Sequence, residues 1–293
     1  MAITAADVKK LRELSGAGMM DCKKALGETD GNIDAAVDFL RKKGLSAASK
    51  KAGRVAAEGV VVAVSEGNTG AVLEVNAETD FVSKNEQFIS FVNDISALII
   101  KENPADVEAL KSLDFDAELN VEQALSQLIA TIGENMSIRR FGRIEVDAGV
   151  VASYVHGGGK IGVLIGIEGD VDAGLARGIA MHVAAASPRF IARADVDAES
   201  ADRERAVLSE RAIASGKPEA IVDKIVTGQM NKFYSEVCLL EQDFVMDTDQ
   251  KVGKALGDAK LVNMFRFQLG EGIEKKEEDF AAEVAAQIKG ADI

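Results

Sequence analysis

The sequence predicts an α+β fold, and three observations carry that prediction. Three stretches with apolar residues at helical spacing occupy the first 45 positions. Two runs rich in β-branched residues, each broken by glycines, recur about ninety positions apart, and a charged pair of helix-periodic segments follows the second run. The expected layout is an N-terminal three-helix module with its linker (1–54), a first core subdomain (55–143), a second, related core subdomain (144–273) with an antiparallel helical hairpin inserted at about 196–236, and a C-terminal helical module (274–293).

Thr4-Ala5-Ala6-Asp7 forms a capping box, and Val8, Leu11 and Leu14 follow on one helical face until Ser15-Gly16 interrupts. A second helix begins near Met19 and ends around Gly27. Asn32 caps a third, whose stripe of Ile33, Val37 and Leu40 runs out before Gly44. Residues 45–58, rich in Ala, Ser and Lys, read as a linker. Its Lys50, Lys51 and Arg54 coat a solvated segment; phosphate binding is the alternative, disfavoured by the lack of interleaved aromatics.

Val60-Val61-Val62-Ala63-Val64, then Gly67-Asn68-Thr69-Gly70, then Ala71-Val72-Leu73-Glu74-Val75 describe a β-hairpin with a glycine-bearing turn. A helix over 83–100 places Phe88, Phe91, Val92 and Ile95 on its apolar side, and residues 105–135 are also helical in pattern. The grammar returns at Gly149-Val150-Val151, through His156-Gly157-Gly158-Gly159-Lys160, to Val163-Leu164-Ile165 and a helix over 172–186. A shift of ninety sets Gly59 on Gly149, Gly67 on Gly157 and Val75 on Ile165, which marks a duplicated unit. Helical segments over 198–215 and on to 234, joined at Gly216-Lys217-Pro218, form the hairpin, and residues 261–269 alternate as a strand returning to the second sheet with Phe265, Phe267 and Leu269 on one side. In the last helix Phe280, Val284 and Ile288 form a stripe that packs on its own protein or docks on a partner.

Composition removes several classes of function. With 34 basic and 48 acidic residues the net charge is -14, which opposes binding to nucleic-acid phosphates or anionic lipid. No apolar run is long enough to span a membrane and the first residues lack a signal pattern, so a cytoplasmic location is expected. Two cysteines, Cys22 and Cys238, and two histidines, His156 and His182, provide neither a disulfide framework nor a cluster of metal-binding imidazoles. The loop at residues 156–160 resembles a P-loop only superficially: Tyr154 and Ile161 stand where a glycine and a hydroxyl are required. At Gly16-Ala17-Gly18 no strand precedes the glycines, and Gly44-Leu45-Ser46-Ala47-Ala48 is an incomplete nucleophile elbow. No catalytic residues and no cofactor are expected.

The informative segment is Thr79-Asp80-Phe81-Val82, between the first hairpin and a helix whose start is marked by the box Ser83-Lys84-Asn85-Glu86. If Val82 stapled the helix start, its partner would be Gln87, which is polar, so the loop's two hydrophobic residues lack the expected local partner, and the residues alone favour packing of both into the core.

Thr79-Asp80-Phe81-Val82 is similar to a signature of the elongation factor Ts family. So are Gly16-Ala17-Gly18-Met19-Met20-Asp21-Cys22-Lys23-Lys24-Ala25-Leu26, Ile138-Arg139-Arg140, Met181-His182-Val183-Ala184 and Gly270-Glu271-Gly272-Ile273-Glu274, so the resemblance runs along essentially the whole chain. It implies a ubiquitin-associated-like N-terminal module, and a non-enzymatic exchange factor whose partner is the translational GTPase EF-Tu. In that family the factor disturbs the magnesium and phosphate region so that GDP leaves.

Carried onto this chain, Thr79, Asp80, Phe81 and Val82 would form the loop that intrudes beside the magnesium site, with Phe81 as the wedge. Leu11, Met19, Met20, Val245 and Met246 resemble the apolar set that grips a GTPase helix, although spacing alone equally allows Met19 and Met20 a core role. His156 resembles a partner-contacting histidine, while a lone loop histidine is more often simply solvated. Asp243 stands where many relatives have proline, which bears on the stiffness of that loop. Pairing of two copies through the helical hairpin stays open. The rival readings are a nucleotide-binding enzyme built on Gly157 to Lys160 and a peptide-binding adaptor built on the N-terminal bundle.

Overall fold

The structure is a computed structural model that describes residues 3–216 and 218–274. The expected C-terminal helix with Phe280, Val284 and Ile288, and Lys217 of the hairpin turn, lie outside the described residues. The fold is α+β. Its first three helices, α1 (Ala5–Ser15), α2 (Met19–Glu28) and α3 (Ile33–Lys51), enclose Leu11, Cys22, Ala25, Leu26, Ala36 and Leu40. The Thr4 hydroxyl accepts from the Asp7 N–H, the Asp7 carboxylate accepts from the Thr4 N–H, and Asn32 accepts from the Ala35 N–H.

Helix α3 passes through Gly44 and continues to Lys51, so the linker expected over 45–58 shrinks to residues 52–57. Gly44 is a packing contact and not a stop signal. A Cβ there would lie 3.6 Å from the Ser126 carbonyl of a core helix, and tertiary packing offsets the ~1 kcal/mol a glycine costs inside a helix. Lys50 and Lys51 fall in the last turn, where positive charge complements the helix dipole.

The first core half runs β1 (Glu58–Glu66), β2 (Thr69–Ala77), α4 (Glu86–Glu102), α5 (Val107–Ser112), α6 (Val121–Ile132) and β3 (Met136–Glu145), with the antiparallel sheet ordered β1-β2-β3. No strand is expected at β3 because Arg139, Arg140 and Arg143 obscure its alternation; only Met136, Ile138 and Ile144 are buried apolar residues. The N-cap of α4 is Asn85 and not Ser83: its side chain accepts from the Gln87 and Phe88 N–H groups at 2.9 and 3.2 Å. Phe88, Phe91, Val92, Ile95 and Ile99 pack with Leu73 and Val75 of β2 and with Leu125 and Ile129 of α6.

The second half begins with β4 (Gly149–His156), β5 (Ile161–Glu168) and α7 (Ala173–Ala186). The inserted hairpin is α8 (Ala198–Ala214) and α9 (Glu219–Val237), closed by Leu208 and Ala212 against Val222, Val226 and Met230. Arg193 ties its base to the body, stacking on Tyr234 at 4.7 Å, bonding Asn231 at 2.9 Å and forking onto Glu241. A short ribbon, β6 (Asp243–Phe244) with β7 (Asp247–Lys251), and α10 (Val252–Leu256) then lead to β8 (Lys260–Gln268), which completes the sheet order β4-β5-β8.

The two halves repeat one another in detail. Gly59 faces Asn76 and Gly149 faces Glu168, and at each a Cβ would run into the carbonyl oxygen one residue earlier, Val75 or Ile167. The Val61 N–H donates to the Gly159 carbonyl at 2.8 Å, and the Val151 N–H returns the bond to Gly67 at 3.1 Å. A bulge follows Glu74 in one sheet and Gly166 in the other. The structural counterpart of Val75 is therefore Ile167, not Ile165: the second turn, Gly157 to Lys160, is two residues longer than Gly67-Asn68. The sheets pack through Val61, Val72, Ile144, Val146, Val151, Leu164 and Phe267. Gly59→Ala is expected to destabilise the chain by about 1–3 kcal/mol, the range for forcing atoms into filled space. A lower urea midpoint with an unchanged slope would show it; an unchanged midpoint would mean the strand pair accommodates a methyl group.

Candidate functional site

The segment Thr79 to Val82 leaves β2 and reaches α4 through a single tight turn. Thr79 is held at its root by Glu134, whose carboxylate accepts from the Thr79 N–H at 2.9 Å and from its hydroxyl at 2.7 Å. The Ser83 hydroxyl donates to the Asp80 carbonyl at 2.6 Å, and the Lys84 and Asn85 N–H groups close the turn on Phe81 and Val82. Val82 is 3% exposed and joins the first core, whereas Phe81 is 80% exposed and Asp80 lies in solvent. Core packing thus describes Val82 and fails for Phe81. A bare aromatic ring on a braced turn is an apolar surface in search of a partner.

In the N-terminal module Leu11, expected among the residues that grip the GTPase, is fully buried in the three-helix core and offers a partner no surface; its part in the site is to support it from beneath. Met19 and Met20 are 61% and 74% exposed, which removes the core alternative for both. With Ile3 and Val8 they line a groove edged by Lys9, Arg12 and Lys23. Thioether side chains give such a groove an adaptable lining.

His156 is exposed at the end of β4, and its Nδ1 lies 3.1 Å from the Tyr154 hydroxyl. Tyr154, His156, Met181, Val245 and Arg266 border one cleft. The structure therefore brings His156 and Val245 together. Val245 and Met246 form the exposed β6–β7 turn. Asp243 pairs with Lys251 across the ribbon at 2.8 Å. A second, apolar groove of Val60, Val62, Ile89 and Val155 has Ser83 on one border and Gly158 and Gly159 on another, and so links the Phe81 loop to the His156 turn. Lys160 is turned onto Glu58 at 2.9 Å, and its N–H bonds back to His156.

Sequence reasoning missed the residues that hold these loops: Glu134 under Thr79, and His182 with Gln242 under Val245. His182 is 1% exposed; its Nδ1 accepts from the Val245 N–H at 3.2 Å, so Nε2 carries the proton and donates to Gln242 Oε1 at 2.9 Å. Burial holds the imidazole below its ordinary pKa, with the Gln242 bond as a partial offset, and the ring is neutral at pH 7. The paired histidine and glutamine are sixty positions apart, and no local spacing announces them.

Comparison with known proteins gives these surfaces a context. The family model described as Elongation factor TS matches residues 78–271. The chain is 53% identical to Elongation factor Ts of Magnetococcus marinus, over 99% of this chain and 100% of that protein. It is 55% identical to the Rhodospirillum rubrum Elongation factor Ts, over 98% of this chain and 99% of that one. It is 50% identical to a Clostridium botulinum Elongation factor Ts at the same coverage, 98% and 99%. Likeness of this extent makes the chain a translation elongation factor. It belongs to the elongation factor Ts family.

Proposed function

We propose that this chain binds EF-Tu carrying GDP, disturbs its magnesium and phosphate site, and promotes release of GDP so that GTP can bind. The observation that carries the reading is Phe81, 80% exposed at the tip of a turn whose root is bonded to Glu134 and whose next residue, Val82, is buried. A ring presented on so short a base can enter a gap between partner side chains and shift the backbone that positions the metal ligands. The neighbouring Asp80 carboxylate disfavours the bound phosphates by like-charge repulsion.

Met19, Met20, Val245, Met246 and His156 supply grip, and Leu11 and Thr79 brace it. The coupling is reciprocal: factor and nucleotide each weaken the other's binding to the GTPase by one factor, so excess GTP completes the cycle. On this reading the chain is not an enzyme, binds no nucleotide, metal or nucleic acid itself, and works in the cytoplasm. The rival nucleotide loop is disfavoured, because Lys160 is engaged by Glu58 and the Gly159 carbonyl accepts from Val61. Exposed Val207, Ile213 and Ile221 support pairing of two copies through the helical hairpin. Stopped-flow release of fluorescent GDP from EF-Tu tests the central claim: the chain accelerates release, and an unchanged rate rejects the function.

A further inference from the structure

We propose that His182 is a positioning residue for docking: from inside α7 it fixes the Val245-Met246 turn at the rim of the cleft formed with Tyr154 and His156. The proposal rests on the EF-Tu-binding reading above and adds to it the device that shapes one of the contact surfaces.

The β6–β7 ribbon is too short to hold its own geometry, since two-stranded pieces of a few residues are marginal in water. Each of its ends has a fastener. Phe244 is 4% exposed and its ring lies 6.0 Å from that of His182. Asp243 pairs with Lys251, and the Val252 N–H donates to the Gln242 carbonyl at 3.0 Å. At the turn itself the Val245 N–H is held by the His182 ring at 3.2 Å. That ring is in turn oriented by Gln242, whose amide donates to the Glu236 carbonyl of α9 at 2.6 Å. A continuous line of hydrogen bonds thus joins the base of the helical hairpin to the apolar docking turn. An imidazole suits the position because it accepts on one side of a rigid ring and donates on the other. Holding Val245 and Met246 in place before contact removes part of the ordering cost of association.

Two partial mimics separate this role from ordinary core packing. In His182→Asn the amide oxygen falls near the place of Nδ1 and still accepts from Val245, while the Gln242 bond is lost. In His182→Gln the amide nitrogen falls near the place of Nε2 and still reaches Gln242, while the Val245 N–H loses its acceptor. Affinity of the full chain for EF-Tu carrying GDP, hydrogen exchange of the Val245 amide and the urea midpoint are measured on both. The expected result is similar stability for the two, with His182→Gln alone exchanging the Val245 amide faster and binding about tenfold more weakly. Equal affinity for both variants, or an affinity that simply follows the urea midpoint, overturns the proposal. If neither variant folds, Gln242→Met leaves the imidazole in place and removes the group that orients it; an affinity there that does not follow the exchange rate of the Val245 amide overturns the proposal. Failure of the underlying reading is distinct, because then the unaltered chain itself does not bind EF-Tu.

Discussion

Phe81→Ala is expected to slow GDP release from EF-Tu by about 10- to 100-fold, the rate equivalent of losing ~1.4–2.8 kcal/mol at an aromatic hot spot. The fold should survive untouched, since the ring contributes little to its own core and exposed positions usually change stability by about 0.5 kcal/mol or less. Val82→Ala is the informative contrast. Its side chain is 3% exposed in the cluster with Phe88 and Leu73, so truncation should lower the urea midpoint first and exchange only as a consequence. Stopped-flow release and circular dichroism on the same two variants resolve the pair. A wild-type release rate for Phe81→Ala would sink the wedge.

The contrast between these neighbours explains why the loop resists reading from sequence. Both are hydrophobic, both precede a helix, and periodicity cannot tell them apart. The difference arises one level up, where the turn from Val82 to Lys84 and the Asn85 cap rotate one side chain inward and the other out. Placing the cap at Ser83 shifts the helix start by two residues and misidentifies the staple partner. The turn's stiffness comes from Glu134, fifty-five positions downstream of Thr79, a pairing that only the closed sheet creates.

Elements with strong local signals were legible: the Thr4-Asp7 box, the Asn32 cap, both hairpins and the return of β8 to β5 all lie where periodicity puts them. Elements decided by tertiary context were not. Helix α3 outruns its apolar stripe because Gly44 packs against α6, and β3 is hidden by arginines that satisfy a carboxylate within the sheet. The ribbon β6–β7 is too brief for any alternation to register. The internal duplication was visible through Gly59 and Gly149, but its register slipped in the second strand, since glycine matching cannot count the two extra residues in a turn. The exposed apolar residues Met19, Met20, Val245 and Met246 carry no sequence mark that separates them from core residues, and resemblance alone singled them out.

Glu74→Gln is expected to cost about 2 kcal/mol of stability, because four donors converge on the buried carboxylate and an amide returns only one oxygen to them, while the partly exposed Arg139 and Arg140 keep part of their solvation. Glu74 is fully buried on β2 and receives Arg139 Nη1 at 2.9 Å, Arg140 Nε at 2.6 Å, the Asn76 amide at 3.1 Å and the Gly270 N–H at 2.8 Å. Burial pushes its carboxyl up, but the bonds from Gly270, Arg139, Arg140 and Asn76 outweigh that effect and hold its pKa below the usual carboxylate value. A depressed pKa in the folded chain means a contribution that is complete above the unfolded value and vanishes as pH falls through the folded one. The wild-type advantage over Glu74→Gln should therefore be full at pH 7 and shrink in the acid range, below the ordinary carboxyl value. Because Arg140 also bonds the Gln268 carbonyl and Glu271, and Arg139 the Glu271 carbonyl, the same carboxylate fastens the stretch after β8 to the first sheet. Urea melts of both chains at neutral and acid pH decide the matter: a stability gap that stays constant with pH would mean that the Glu74 charge is not what holds the two halves together there.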